Sequence, residues 1–336
     1  MSTWHRTPTI FLLAMIFSLS SDFSFAQTRE KSGVAEAGND QKSYERQDEK
    51  PASFLRLVHE KDGSSRLETS IASYRGKGGK VVHLVSVVHV GEKPYFQQLN
   101  RVFRDYDALL YELIAEKDAI PQPGRDSSSI LTIFQRGLTD DLSLQFQLDI
   151  IDYTADNFVH ADMSPNDFRR KQNEHGEGLL TYMFRAMKTE IDRQAKGDFS
   201  GTVTPIDLIK VFLSEDRSTE MKRVLSREFA NVESIAETIE GESGSVILTE
   251  RNKVAIKVLE DSLKEGKRNI GIFYGAAHMP DMEKRLIEKL EFRKTGERWL
   301  TAWDIPAPAT KRSSFLKRLL VPGDGKQERP RRTQWF

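Results

Sequence analysis

The hydrophobic rhythm of the chain changes several times, and each change predicts an element. From Ser53 onward, FLRLVHE and then LETSIASY alternate apolar and polar side chains at period two, which predicts a half-buried hairpin turning through Lys61 to Ser65, with both strands at a sheet edge. Val81 to Val88 (VVHLVSVV) is apolar on both faces and β-branched, the pattern of a central strand covered on each side. After a turn at His89-Val90-Gly91, Tyr95, Phe96, Leu99, Val102 and Phe103 recur at helical spacing between Lys93 and Tyr106, and Ala108 to Ile114 (ALLYELI) returns to strand. This is a βαβ unit, a crossover that is right-handed in nearly all proteins.

Between Ser127 and Lys267 the apolar spacing becomes three-to-four in ILTIFQRGL, LLTYMFRAM, LIKVFL and VAIKVLEDSLKEG, which predicts a large helical insertion. Arg268 to Tyr274 (RNIGIFY) then gives another apolar strand, Gly275 to His278 a tight turn, and Met282 to Leu290 a helix, so the βα pattern of the first half recurs. Trp299 to Ile305 is the last expected strand. The fold class that follows is α/β (α+β): a mixed β-sheet core with βα units and a helical insertion, 127–267, between the two halves of one domain spanning 53–306.

The termini differ from this core. Ile10 to Leu19 is an apolar run too short to cross a bilayer, and Ser24 and Ala26 put small residues three and one before Gln27. This pattern predicts a signal peptide over 1–26, cleaved after Ala26, and export to a periplasm or the exterior; an uncleaved anchor is the alternative. Residues 27–52 lack large apolar side chains and read as a disordered linker. The tail 307–336 is basic, which allows either contact with anionic surfaces or a plain solvated segment.

Composition narrows the chemistry. With 336 residues, 38% hydrophobic and 30% charged, the chain holds one sizeable core and is too polar for a multi-span membrane protein. Fifty basic residues balance fifty acidic ones, no basic stripe is interleaved with aromatics, and nucleic-acid binding is disfavoured. There is no cysteine, so disulfides, thiolate metal sites and cysteine nucleophiles are excluded, and any metal must be held by imidazole and oxygen. No phosphate-binding loop or serine nucleophile elbow is present.

Three chemically potent residues stand at strand ends. His89 and His278 each follow an apolar strand and Glu112 lies near the end of another, and α/β sheets gather such residues in the crevice outside the carboxyl ends of their parallel strands. Two imidazoles and a carboxylate can hold a divalent transition metal and leave coordination positions open. Glu112 sits in the apolar segment LLYELI and needs a cation, which is either a metal or Arg251 at the start of TERNKVAIKVLE. His160 and Asp162, two apart on an extended segment, face one side and are candidates to line the cleft. His83, in mid-strand, reads as a satisfied core histidine, and His59 and His175 as surface residues.

Ser86-Val-Val-His89-Val-Gly91, Leu110-Tyr-Glu112-Leu, Glu250-Arg251-Asn252 and Gly275-Ala-Ala-His278 resemble the successive motifs of the TraB/PrgY/GumN family, which is similar to the Tiki proteases; the likeness spans about Phe54 to Ile305. The resemblance implies metal ligands at His89, Glu112 and His278, catalytic roles for Glu112, Arg251 and Asn252, and manganese or cobalt, with zinc as an alternative, in a peptidase. One position departs from the pattern: Ser86 stands where that family usually has glycine. The expectation is an exported metal-dependent hydrolase acting on a peptide or small molecule. The alternatives are a non-catalytic protein that holds a peptide signal or a metal chelate such as haem in the same cleft, and a structural domain with a Glu112–Arg251 bridge.

Overall fold

The computed structural model describes residues 53–117, 144–178, 216–230 and 244–308, with isolated positions between them. The expected signal peptide, the linker, nearly all of the basic tail and the helices expected from ILTIFQRGL, LLTYMFRAM and LIKVFL lie wholly or largely outside the described residues. No helix among the described residues is long and apolar enough to cross a membrane.

The fold is α/β, built on a mixed sheet of seven strands. Strands β1 (Leu55–His59) and β2 (Ser65–Arg75) form the expected hairpin. Strands β3 (Val81–Val87) and β5 (Ala108–Tyr111) flank β8 (Asn269–Gly275), all three parallel, and β7 (Phe158–His160) joins β5, also parallel. Strand β9 (Arg293–Ile305) runs antiparallel along the whole of β2. A two-residue strand β4 (Val90–Gly91) pairs separately with β6 (Gln145–Phe146).

Two expectations are corrected. β2 is not an edge strand: β9 occupies one side, while β1 and then β3 share the other. Its polar positions Glu68, Thr69 and Ser70 are buried by these neighbours, so the alternation in LETSIASY does not mark a solvent-facing side. Nor is the insertion purely helical, since β6 and β7 fall inside it and β7 extends the main sheet. Three residues of strand are too few for period-two patterning to register.

The parallel strands are covered on both sides, as their continuous apolar sequences require. On one side, Val85 and Val87 of β3, Leu109 of β5 and Phe273 of β8 pack against Tyr95, Phe96, Leu99 and Phe103 of helix α1 (Lys93–Phe103). On the other, Val82, Leu84, Leu110, Ile270 and Ile272 pack with helices α5 (Arg251–Lys264) and α6 (Met279–Glu288), through Ala255, Leu259, Met282 and Leu286 among others. Three shorter or outer helices complete the described set: α2 (Gln147–Ile150), α3 (Pro165–His175) and α4 (Arg217–Phe229). All four parallel strands thus end at one edge, with His89 two residues beyond β3, Glu112 one beyond β5, Asp162 two beyond β7 and His278 three beyond β8.

Candidate functional site

Glu112 is the centre of this edge. It is 2% exposed, one carboxylate oxygen (Oε2) accepts from the Gly275 amide at 2.7 Å, and the other (Oε1) lies 2.7 Å from Arg251 Nη2 and 3.3 Å from His278 Nε2. Burial would raise its pKa, but the Arg251 guanidinium, followed by His278, more than offsets this and holds the carboxyl well below the usual range. Of the two cations weighed for Glu112 from sequence, Arg251 is therefore in place.

Arg251 opens α5 directly after a π-helical turn, Val246–Glu250, and is itself 2% exposed. Its Nε and Nη2 also reach Asp162 Oδ1 and Oδ2 at 2.9 and 2.5 Å, a two-point contact of fixed geometry. Asp162 is thus held by Arg251 with its carboxylate fully buried, not lining the cleft beside His160 as its position on an extended segment suggested. His160 is half-buried and spends Nε2 on the Leu113 carbonyl at 2.7 Å.

The two strand-end histidines are oriented in the same way. His278 Nδ1 lies 2.6 Å from Asn252 Oδ1, and the Asn252 amide nitrogen donates to Asp281 Oδ2 at 2.8 Å, which fixes which end of the amide faces the ring. Asp281 in turn accepts from Arg285 Nε at 2.7 Å. His89 Nδ1 lies 2.9 Å from Gln147 Oε1, and Gln147 Nε2 donates to the Tyr153 hydroxyl at 2.6 Å. An amide oxygen only accepts, so in both histidines Nδ1 carries the proton and Nε2 is turned inward. His278 Nε2 meets Glu112 Oε1, while His89 Nε2 and Glu112 Oε2 stand 3.2 and 3.3 Å from the position a Cβ on Gly275 would occupy. Glycine at 275 leaves that space open.

Among the described residues, no group of three or more histidine, aspartate and glutamate side chains is close enough together to hold a metal ion as the side chains stand. His278 Nε2 instead stands at Glu112 Oε1, while His89 Nε2 and Glu112 Oε2 border the space beside Gly275. Their chemistry does fit a divalent transition ion, because a ligating histidine characteristically donates its other ring N–H to an oxygen acceptor. The charge balance fits too, since two buried carboxylates, Glu112 and Asp162, share one guanidinium.

His83 contacts Ser73 Oγ and Asn269 Oδ1 through its two ring nitrogens, at 2.8 and 2.9 Å, and takes no part in the site. Ser86 is fully buried and its hydroxyl has no hydrogen-bond partner among the described residues. Sequence reasoning missed Gln147, Tyr153, Asp281 and Arg285. No spacing signal distinguishes them, because each acts through a contact made only in three dimensions.

Comparison with models of known families, with curated proteins and with solved structures gives no match.

Proposed function

We propose that this chain is an exported metal-dependent hydrolase of the TraB/PrgY/GumN type, acting on peptide bonds, with His89, Glu112 and His278 as the ligands of a manganese or cobalt ion, or of zinc. The observation that carries the reading is the matched anchoring of His89 and His278, each donating Nδ1–H to an amide oxygen, with His278 Nε2 3.3 Å from Glu112 Oε1 and His89 Nε2 bordering the same open space at Gly275 as Glu112 Oε2. A neutral Nε2 and a carboxylate oxygen are both acceptors, so the 3.3 Å between His278 and Glu112 calls for a proton or a cation between them.

Such an ion, when bound, polarises a substrate carbonyl and acidifies a water molecule. The chain's own residues prepare for this. Asn252 and Gln147 set the histidine tautomers, and Arg251 holds the Glu112 and Asp162 carboxylates in place. Because Arg251 is 2% exposed, we assign it to positioning and not to substrate contact. His89, half-buried, is the most accessible member of the set, so substrate approaches from its side.

The test is elemental analysis of the purified chain beside its His89→Ala and His278→Ala variants, followed by a peptidase screen with added manganese, cobalt and zinc. Stoichiometric metal in the parent, lost in both variants, is the expected result. A parent without metal, or variants that keep it, would overturn the assignment. One observation favours a second reading, a structural domain held by a Glu112–Arg251 bridge: Arg251 already compensates Glu112 without any ion. That reading predicts a chain that binds no metal and turns over no peptide.

A further inference from the structure

At the amino-terminal end of β3, the opposite end of the sheet from His89, lies an open cavity of 690 Å³ bordered by Arg75, Lys77, Ile287, Phe292, Arg293 and Thr295. Arg75 and Arg293 are direct cross-strand partners in the β2–β9 ladder, both are exposed, and among the described residues neither has an acidic partner. Like charges placed opposite one another weaken a strand pair. A third cation, Lys77, is joined across the cavity mouth to Glu291. Glu291 holds φ at +57°, the left-handed conformation that closes the carboxyl end of α6, where the Phe292 amide turns back to the Leu286 carbonyl. Three cations thus face one carboxylate around a single space.

The walls are fixed before any ligand arrives. A Cβ on Gly76 would lie 2.8 Å from the Phe292 ring, so the ring packs against bare backbone there. The Gly76 amide bonds the Lys80 carbonyl at 2.9 Å, Arg268 Nη2 bonds the Gly78 carbonyl at 2.5 Å, and the Phe292 amide bonds the Leu286 carbonyl at 3.0 Å. Ile287, on the same rim, is 44% exposed and is one of two large aliphatic side chains so exposed among the described residues.

We propose that this cavity binds a phosphate-bearing amphiphile, with the phosphate bridging Arg75 and Arg293 and the apolar portion against Ile287. A carboxylate matches one guanidinium fork, whereas the tetrahedral oxygens of a phosphate can engage two forks at once. Lys77 exchanges Glu291 for the ligand in the bound form. The site shares no residue with the Glu112 cluster and stands or falls apart from the hydrolase reading.

The test is calorimetric titration of the full chain with n-octyl phosphate and with inorganic phosphate, beside the Arg75→Gln/Arg293→Gln and Ile287→Ser variants. Both arginines are exposed and have no ion pair among the described residues, so thermal melting should show the double variant folded. Octyl phosphate should bind more tightly than inorganic phosphate. The double variant should lose roughly tenfold or more of its affinity for octyl phosphate, because it removes both charge-assisted forks that hold the phosphate. Ile287→Ser should weaken octyl phosphate alone. Sedimentation with phosphatidylcholine vesicles, with and without phosphatidylglycerol, identifies the source. Binding of the anionic vesicles that the double variant loses assigns a lipid headgroup, and octyl phosphate binding without vesicle binding assigns a soluble organic phosphate. Equal affinity for inorganic phosphate, or octyl phosphate binding unchanged in the double variant, overturns the proposal.

Discussion

Arg251 and Glu112 form an ion pair in which both side chains are at most 3% exposed, with Nη2 and Oε1 2.7 Å apart. Both partners are almost wholly shielded from bulk solvent, so each charge depends largely on the other for the solvation that folding removed. Asp162 adds a second carboxylate to the same guanidinium, and the helix α5, the turn after β7 and the end of β5 are locked to one another by a single side chain.

Arg251→Met should therefore be strongly destabilising, by about 3–5 kcal/mol, because two buried carboxylates lose their cation. Urea unfolding of parent and variant measures this. A loss below about 1 kcal/mol, the range of exposed ion pairs, would mean that the pair is solvated.

Acid should unfold the protein partly through Glu112. Its folded pKa lies below that of the unfolded chain, so its contribution to stability is fully present above the ordinary glutamate value of about 4.3 and is lost as pH falls through the folded value. The unfolded chain takes up the proton first, which gives the sign. Unfolding midpoints measured from neutral pH downward should fall more steeply in the parent than in Glu112→Gln, and parallel curves would remove Glu112 from the account.

Gln147→Leu should leave most of the fold intact yet change His89. Without the amide oxygen 2.9 Å from Nδ1, the ring loses its tautomer preference and its orientation. On the proposed reading of His89 as a metal ligand, affinity for the ion should fall about 10- to 100-fold, as it does when outer partners of ligating histidines are lost. Nitrogen-detected NMR of the histidine ring, with a metal titration, reads both effects, and an unchanged tautomer with unchanged affinity would refute the role.

Ser86→Ala should be neutral or stabilising. The hydroxyl is buried without a partner, a state that costs about 1–3 kcal/mol, and alanine removes the unsatisfied group while keeping the Cβ. Thermal melting decides the matter. A marked loss of stability would show that the Ser86 hydroxyl does have a partner.

The chain's own periodicity is enough to find β3, β5, β8 and α1, because each is long and apolar enough for neighbours two or three to four residues apart to reveal it. The same reading put His89, Glu112 and His278 at strand ends and named Arg251 as one of two cations for Glu112. It could not tell that β2 is internal, since the strand that covers it, β9, lies more than two hundred residues away in sequence. It read the segment of His160 and Asp162 as extended but not as a strand of the main sheet, and so missed the bond between Asp162 and Arg251. The amide of Gln147 and the hydroxyl of Tyr153 gave no local sign of their role, for a glutamine opening a short helix looks alike whether it meets water or an imidazole. Local spacing determined which segments became strands and helices and which reactive residues stood at their ends. Only tertiary packing decided which charge each buried group met, because hydrogen bonds and ion pairs depend on separations of a few ångströms between residues that sequence order leaves far apart.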